Sequence, residues 1–370
     1  MKTERHDAPA ILHVVPSDGI GGVEVAFRSM LARADLPCTF RVLLIAGKTL
    51  AADPARVVES PYPSVNSPLA QLRALRIILR SPPDVLICSL WRSIPVALAV
   101  RMMRPRVRLA FFLHAEQPVH WVDALLSRLA MMAADEIWCD CATTLQGRVP
   151  ARLTRRARTI SMVTGRLQPA LAKAPGVAAR FTVWARLTPQ KGIDRALRFI
   201  AALVARGVDA RFDIWGPDGG QRSALEALSD QLGISRQVRF LGPAAPDALA
   251  EIARQACFFL QLSRFEGMAL GVVEAMQFGL VPIVTPVGET AHYVVDNSNG
   301  LVVDAEAPET GLAAILRLLG DQNEFERLRT GAIRAWQSAP LYADDVCRRA
   351  AALTSAMRRS RGPNAGSAQG

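Results

Sequence analysis

Two cations and two carboxylates in the second half of the chain are spaced as a phosphate-handling site needs them. The segment Arg186-Leu-Thr-Pro-Gln-Lys191-Gly192 leaves an apolar run, Phe181 to Arg186, and enters a helical pattern. A cation at a strand end and another at the next helix start suit a diphosphate, neutralising a leaving group through charge-assisted hydrogen bonds without a metal. Lys191 is one of only four lysines, with Lys2, Lys48 and Lys173, in an arginine-dominated chain. Downstream, Arg264-Phe-Glu266-Gly267-Met268-Ala269-Leu270-Gly-Val-Val-Glu274 sets two glutamates eight residues apart. The pattern predicts a helix from about Met268 to Phe278, with Glu266 ahead of it and Glu274 about two turns inside. The two carboxylates then reach different parts of one elongated ligand. Backbone N–H groups of Gly267, Met268, Ala269 and Leu270 at the helix start can receive phosphate oxygens. Glu274 lies in an apolar helix and needs a partner.

A glycine-rich loop, Gly19-Ile20-Gly21-Gly22, follows the apolar run Ile11 to Val15 and opens a helical pattern. It is no dinucleotide fingerprint, because the third glycine would fall at Glu24, and no G-K-[ST] follows it. Glycines here let a backbone approach a ligand and present N–H groups at a helix start, although a tight turn uses the same residues. No Asp-x-Asp metal motif occurs.

These residues need elements to hold them, and the chain alternates strand-like and helix-like patterns throughout. Strands are expected at Ile11 to Val15, Phe40 to Ile45, Asp84 to Ser89, Val107 to Leu113 and Glu136 to Cys139. Helical stretches lie between them at 69–79, 93–103 and 122–133. From about Arg148 to Arg180 the rhythm breaks into an Arg-, Pro- and Ala-rich connection. It restarts with strands at 181–186, 212–215, 238–241, 257–260 and 281–285 and helices between and after them. That is α/β with two tandem doubly wound domains, each a parallel sheet clad in helices. The boundaries are 1–172 (connection from about 148 included), 173–345, and a terminal helix with disordered tail over 346–370. Open α/β sheets bind ligands at the carboxyl ends of their strands, so the site is expected in the cleft between two facing domains.

Length agrees, since 370 residues at roughly 100–200 per domain suggest two domains. With 50% apolar and 21% charged residues the bulk of the chain is globular and not disordered. The net charge of +11 is uneven: residues 1–172 carry 22 basic and 13 acidic side chains, and 173–370 carry 22 and 20. Arginine blocks at 101–108 and 152–158, and Arg73, Arg76 and Arg80 on the helix 69–79, suit an anionic membrane surface or plain solvation. No run approaches the roughly 18–20 apolar residues a spanning helix needs, and because no apolar stretch follows the charges of MKTERHDAPA, no export signal is expected. A cytoplasmic place is expected, with peripheral contact at the inner face of the cell membrane. Six cysteines at 38, 88, 139, 141, 257 and 347 form no disulfide framework or zinc spacing and are read as reduced, mostly buried thiols.

Taken together, the Arg186/Lys191-Gly pair, the Glu-x7-Glu of 266 and 274, the Gly-rich loop, His114 after Phe111-Phe112-Leu113 and the closing Asn299-Gly300-Leu-Val-Val resemble the family 4 glycosyltransferases of the GT-B fold. The resemblance covers nearly the whole chain and is strongest over 181–303. It implies a retaining enzyme that moves a sugar from a nucleoside diphosphate sugar to a glycan acceptor, lipid-linked, in exopolysaccharide, lipopolysaccharide or capsule assembly. It also implies a terminal helix that crosses back to the first domain. Arg186 and Lys191 would hold the diphosphate, Glu266 the sugar hydroxyls and Glu274 the ribose diol. Gly21 and Gly22 would face the donor from the first domain, and His114 would lie near sugar and acceptor. Gly267, Met268, Ala269 and Leu270 complete the donor site; no metal or other cofactor is implied, and no nucleic acid partner. Two positions depart from the family: Met162-Val-Thr-Gly165 replaces a Pro-Asn-Gly turn, and Met268 stands where an aromatic is common.

Two other classes fit part of the pattern. A sugar-nucleotide epimerase shares the architecture and would turn over donor alone. A non-catalytic basic scaffold or nucleic-acid-binding protein would follow from the +11 charge, but the chain shows no nucleic-acid module and few aromatics to stack bases.

Overall fold

A computed structural model describes residues 8–19, 21–49, 54–114, 117–170, 178–304, 306–307 and 311–359. Ile20 of the Gly-rich loop, Lys2, Lys173 and the tail from 360 lie outside the described residues. The chain divides into two compact units: Met1–Gly165 with Pro340–Gly370, and Arg166–Ala339.

The first unit is built on a seven-stranded parallel sheet with strand order β3-β2-β1-β4-β5-β6-β7. The strands are β1 (Ala10–Val15), β2 (Thr39–Leu44), β3 (Val57–Val58), β4 (Val85–Ser89), β5 (Arg108–Leu113), β6 (Glu136–Cys139) and β7 (Ala157–Thr159). Their near-continuous apolar runs reflect burial on both faces. One face packs on the helices Pro68–Arg80, Ile94–Met103 and Trp121–Ala133 through Ala70, Ala74, Ile78, Val96, Ala97, Val100, Ala130 and Met131. Pro68 at the first helical position and Ser67, whose Oγ accepts from the Ala70 N–H, start the first of these. Within the stretch read as a connection, β7 is an edge strand paired with β6.

The helix Tyr342–Arg359 returns to this first unit. Tyr342 stacks on Phe112 at 6.3 Å and its N–H reaches Val163 O at 2.8 Å. Asp345 accepts the Ser161 N–H at 2.9 Å. Arg349 pairs with Glu136, a buried carboxylate that also accepts from Trp138 Nε1. Cys347 is bonded to Cys38, which corrects the expectation of six reduced thiols; Cys88, Cys139, Cys141 and Cys257 are buried thiols outside any disulfide. The two partners are 309 residues apart, and such a pairing cannot be read from spacing.

The second unit holds a six-stranded parallel sheet of order β10-β9-β8-β11-β12-β13. Its strands are β8 (Ala178–Trp184), β9 (Asp209–Trp215), β10 (Val238–Gly242), β11 (Phe258–Gln261), β12 (Val281–Val284) and β13 (Leu301–Val302). The helix Ile193–Ala205 buries Ile193, Ala196, Leu197, Ile200 and Leu203, the face its apolar spacing predicts. The helix carrying Glu274 runs Leu270–Phe278, two residues shorter at its start than expected, and ends at Gly279 with φ 87°.

Candidate functional site

In the second unit, the loops that leave the carboxyl ends of β8 and β11 converge. Lys191 closes a single 3-10 turn, Pro189–Lys191, and Gly192 follows with φ 62°. A methyl group at 192 would stand 1.9 Å from Leu262 O, so only glycine lets this loop press on the backbone after β11. The contact brings Lys191 Nζ to 2.7 and 2.9 Å from the two carboxylate oxygens of Glu266. Glu266 Oε1 also accepts from Gln261 Nε2 at 3.0 Å and Ser263 Oγ at 2.6 Å. The carboxylate is only 4% exposed and four charge-assisted hydrogen bonds compensate its burial. Gly288, φ 55°, abuts the Glu266 carbonyl from the loop after β12.

Arg186 is exposed on the same loop as Lys191. Arg264, also in the motif, turns away to Asp194 at 2.7 and 2.8 Å, tying the β11 loop to the helix after Lys191. Between Glu266 and the helix, Gly267, Met268 and Ala269 form an irregular turn. Ala269 has φ 53°, an unfavourable value for a residue with a side chain, and such strain concentrates at functional loops. Among the described residues their N–H groups donate to no backbone carbonyl.

Glu274 finds its partner in Trp184, at the end of β8, whose Nε1 donates to Oε2 at 2.9 Å. Burial, opposed by that hydrogen bond, pushes the Glu274 carboxyl up to about 7. Gly271, one turn earlier, lies against the Trp184 carbonyl and ring, which keeps indole and carboxylate in register.

In the first unit, Gly21 caps the helix Gly22–Leu31 with extended backbone, φ −171°. Arg28 of that helix reaches back to Asp18 and the Gly19 carbonyl. His114, just past β5, joins a polar row that composition and spacing had not disclosed. His13 Nε2 on β1 lies 2.7 Å from Ser89 Oγ on β4, and Ser89 Oγ lies 3.0 Å from His114 Nε2. Burial holds His13 down at about 3; burial, then the nearness of His13, does the same to His114. Both rings are therefore neutral at physiological pH, and the single Ser89 proton is donated to one and withheld from the other. The available signal was a histidine inside the apolar run Ile11-Leu-His13-Val-Val.

Residues 174–335 match the family model of the glycosyl transferases group 1. That stretch contains every candidate residue of the second unit, Arg186, Lys191, Glu266–Leu270 and Glu274. Relatives include the D-inositol 3-phosphate glycosyltransferase of Corynebacterium urealyticum, 32% identical over 145 residues, 38% of this chain and 34% of that one. The Acidothermus cellulolyticus protein of the same name is 33% identical over 156 residues, 40% and 35%. The chain thus spans about a third of the length of the curated relatives it matches. Among solved structures, Anabaena HepE in complex with UDP is similar with a TM-score of 0.71 at 16% identity, covering 95% of this chain and 99% of that one. Thermosynechococcus elongatus sucrose-phosphate synthase is similar with 0.73 at 17% identity, over 95% and 98%. The fold of two Rossmann-like parallel-sheet units is that of these GT-B proteins.

Proposed function

We propose that the chain is a retaining glycosyltransferase that moves a sugar from a nucleoside diphosphate sugar to a lipid-linked glycan in cell-surface polysaccharide assembly. The observation that carries the reading is the Lys191–Glu266 pair, preformed at the carboxyl ends of β8 and β11 inside the matched stretch. Lys191 has three N–H donors; two point to Glu266 and the third is left for a diphosphate oxygen, with Arg186 as the second cation. Glu266 Oε1 is saturated by three donors, whereas Oε2 takes only Lys191 and keeps acceptor capacity for a sugar hydroxyl. Glu274 takes the ribose diol, and the N–H groups of Gly267 to Leu270 face phosphate. In the first unit Gly21, Gly22 and His114 serve donor sugar and acceptor. His114 contributes hydrogen bonding and not a titrating base, because its ring stays neutral. With the leaving phosphate taking the acceptor's proton, no protein nucleophile is required. HepE has been captured with UDP-glucose, which supports a nucleotide-sugar donor for this chain.

Turnover should fall by orders of magnitude in Lys191→Ala and Glu266→Ala while the fold persists. Wild-type turnover in both would refute the site. A thermal-shift panel of UDP-, GDP-, ADP- and dTDP-sugars fixes the nucleotide, since a ligand of the folded state raises the unfolding temperature.

The lipid-linked acceptor is supported by the outer side of the first unit's three-helix layer. The helix Trp121–Ala133 buries Asp123, Ser127, Ala130 and Met131 and turns Trp121, Leu125, Leu129 and Met132 to solvent, Trp121 at 76% exposure. Met102, Met103, Leu69 and Leu72 stand out from the two neighbouring helices. Residues 61–134 carry nine arginines against three carboxylates. An apolar stripe within a basic field fits an anionic bilayer and disfavours pairing with a second copy of equal charge. Among the described residues no helix is long and apolar enough to cross a membrane. Flotation with phosphatidylglycerol vesicles, lost in Trp121→Ser with Leu125→Ser, is expected. Absence of flotation would favour a small soluble phosphate acceptor, the kind that the relatives' names describe.

A further inference from the structure

We infer that a cavity at the amino-terminal ends of β8, β9 and β10 binds a soluble, multiply charged phosphate compound, at a site separate from the loops of Lys191 and Glu266. The cavity has a volume of about 430 Å³, within the usual range for ligand pockets, and Arg180, Arg211, Arg236 and Arg239 line it with Gln237 and Gln255. Asp213 is the one carboxylate in the lining, and both of its oxygens are taken by Arg239. Arg211 donates to Arg236 O at 3.1 Å and lies 3.5 Å from Asp209 on the rim. Among the described residues, Arg180 and Arg236 have no side-chain hydrogen bond or ion pair. Four guanidinium groups thus surround a hollow in which a single charge is neutralised from within.

The sheet itself creates this crowding. Arg180 and Arg211 are register partners on adjacent strands, as are Asp213 and Arg239, so β8 sets one cation beside another. Like charges directly opposite are unfavourable, and an anion between them reverses the sign of the interaction. Arginine forks match phosphate oxygens bidentately, and the two glutamine amides add neutral donors. Arg180 is the third residue of the seven-residue β8, whereas Lys191 lies beyond its other end, so at about 3.3 Å per residue the two sites are roughly 15–20 Å apart. The only apolar residue in the lining, Phe181, is fully buried. A membrane-seated site needs exposed apolar flanks, which is why a soluble ligand is favoured over a lipid headgroup.

Inorganic pyrophosphate titrated by calorimetry into the full chain carrying Lys191→Ala tests this, because the proposed donor site is then disabled. Saturable binding is expected to persist, and adding Arg180→Ala with Arg236→Ala should weaken it by at least about tenfold, the scale of one lost charge-assisted hydrogen bond. Arg180→Gln with Arg236→Gln replaces the alanine pair if circular dichroism shows lost structure. Loss of all binding in Lys191→Ala alone, or equal binding with and without the two arginines, would overturn the proposal. Vesicle binding that depends on Arg180 and Arg236 without pyrophosphate binding would assign a lipid headgroup and overturn it equally.

Discussion

Gly192 and Leu262 meet with no room for a side chain between them, and that contact seats Lys191 over Glu266. The left-handed φ and the 1.9 Å approach act on the same residue. Gly192→Ala should cost about 2 kcal/mol or more, with roughly 1–2 from the backbone conformation alone. Chemical denaturation reads the loss. Donor affinity should fall with it, because any relief of the clash moves Lys191 away from the carboxylate.

Glu274 predicts a pH dependence of unusual sign. Its carboxyl is raised in the folded state, to about 7 from an ordinary 4.5, so between those values the folded chain binds more protons than the unfolded one. This group's contribution is therefore complete below pH 4.5 and is lost as pH rises towards 7, in total about 3 kcal/mol. Urea unfolding of wild type and Glu274→Gln at pH 5 and pH 7.5 should show the variant losing less stability over that interval.

His13 and His114 act the other way. Both are depressed to about 3, so the unfolded chain takes up protons below pH 6.5 while the native chain does not, and stability falls as pH falls from 6.5 towards 3. Their imidazole Cε1–H resonances should stay at neutral-ring positions from pH 7.5 down to pH 5. A mid-range titration of either would show that the Ser89 row is open to water.

The Cys38–Cys347 bond can be counted. In denaturant without reductant, four thiols per chain should react with a colorimetric disulfide reagent, and six after reduction. Cys347→Ser should leave four reactive thiols plus the released Cys38.

Much of this molecule was legible in its residue order, and the limits have physical causes. Alternating patterns revealed both parallel sheets, because strands buried on two faces must read as apolar runs. Short edge pieces such as β3 and β7 carry too few residues to show a period. The demand that Glu274 have a partner followed from its apolar setting, but Trp184 lies 90 positions away and only the sheet brings it near. Gln261 and Ser263 had a fainter signal, polar residues closing the run Phe258-Phe-Leu. The helix Trp121–Ala133 is apolar nearly all round, and periodicity cannot say which side of such a helix faces water. Arginine blocks read as surface charge proved partly structural: Arg101 and Arg108 both hold Asp135, at 3.1 and 2.8 Å. Arg156 reaches the Ala134 carbonyl at 2.6 Å.

The return of the helix Tyr342–Arg359 to the first unit has a consequence for biogenesis. On a ribosome the second unit, Arg166–Ala339, is one uninterrupted stretch and can be completed before the first. The earlier-made sheet must wait for Tyr342, Asp345, Cys347 and Arg349 to emerge, leaving Phe112, the Ser161 amide, Cys38 and the buried Glu136 without their partners. The earlier-made of the two units is thus the last to be finished, and premature termination near 340 would release a chain with a sound second unit and an uncovered first.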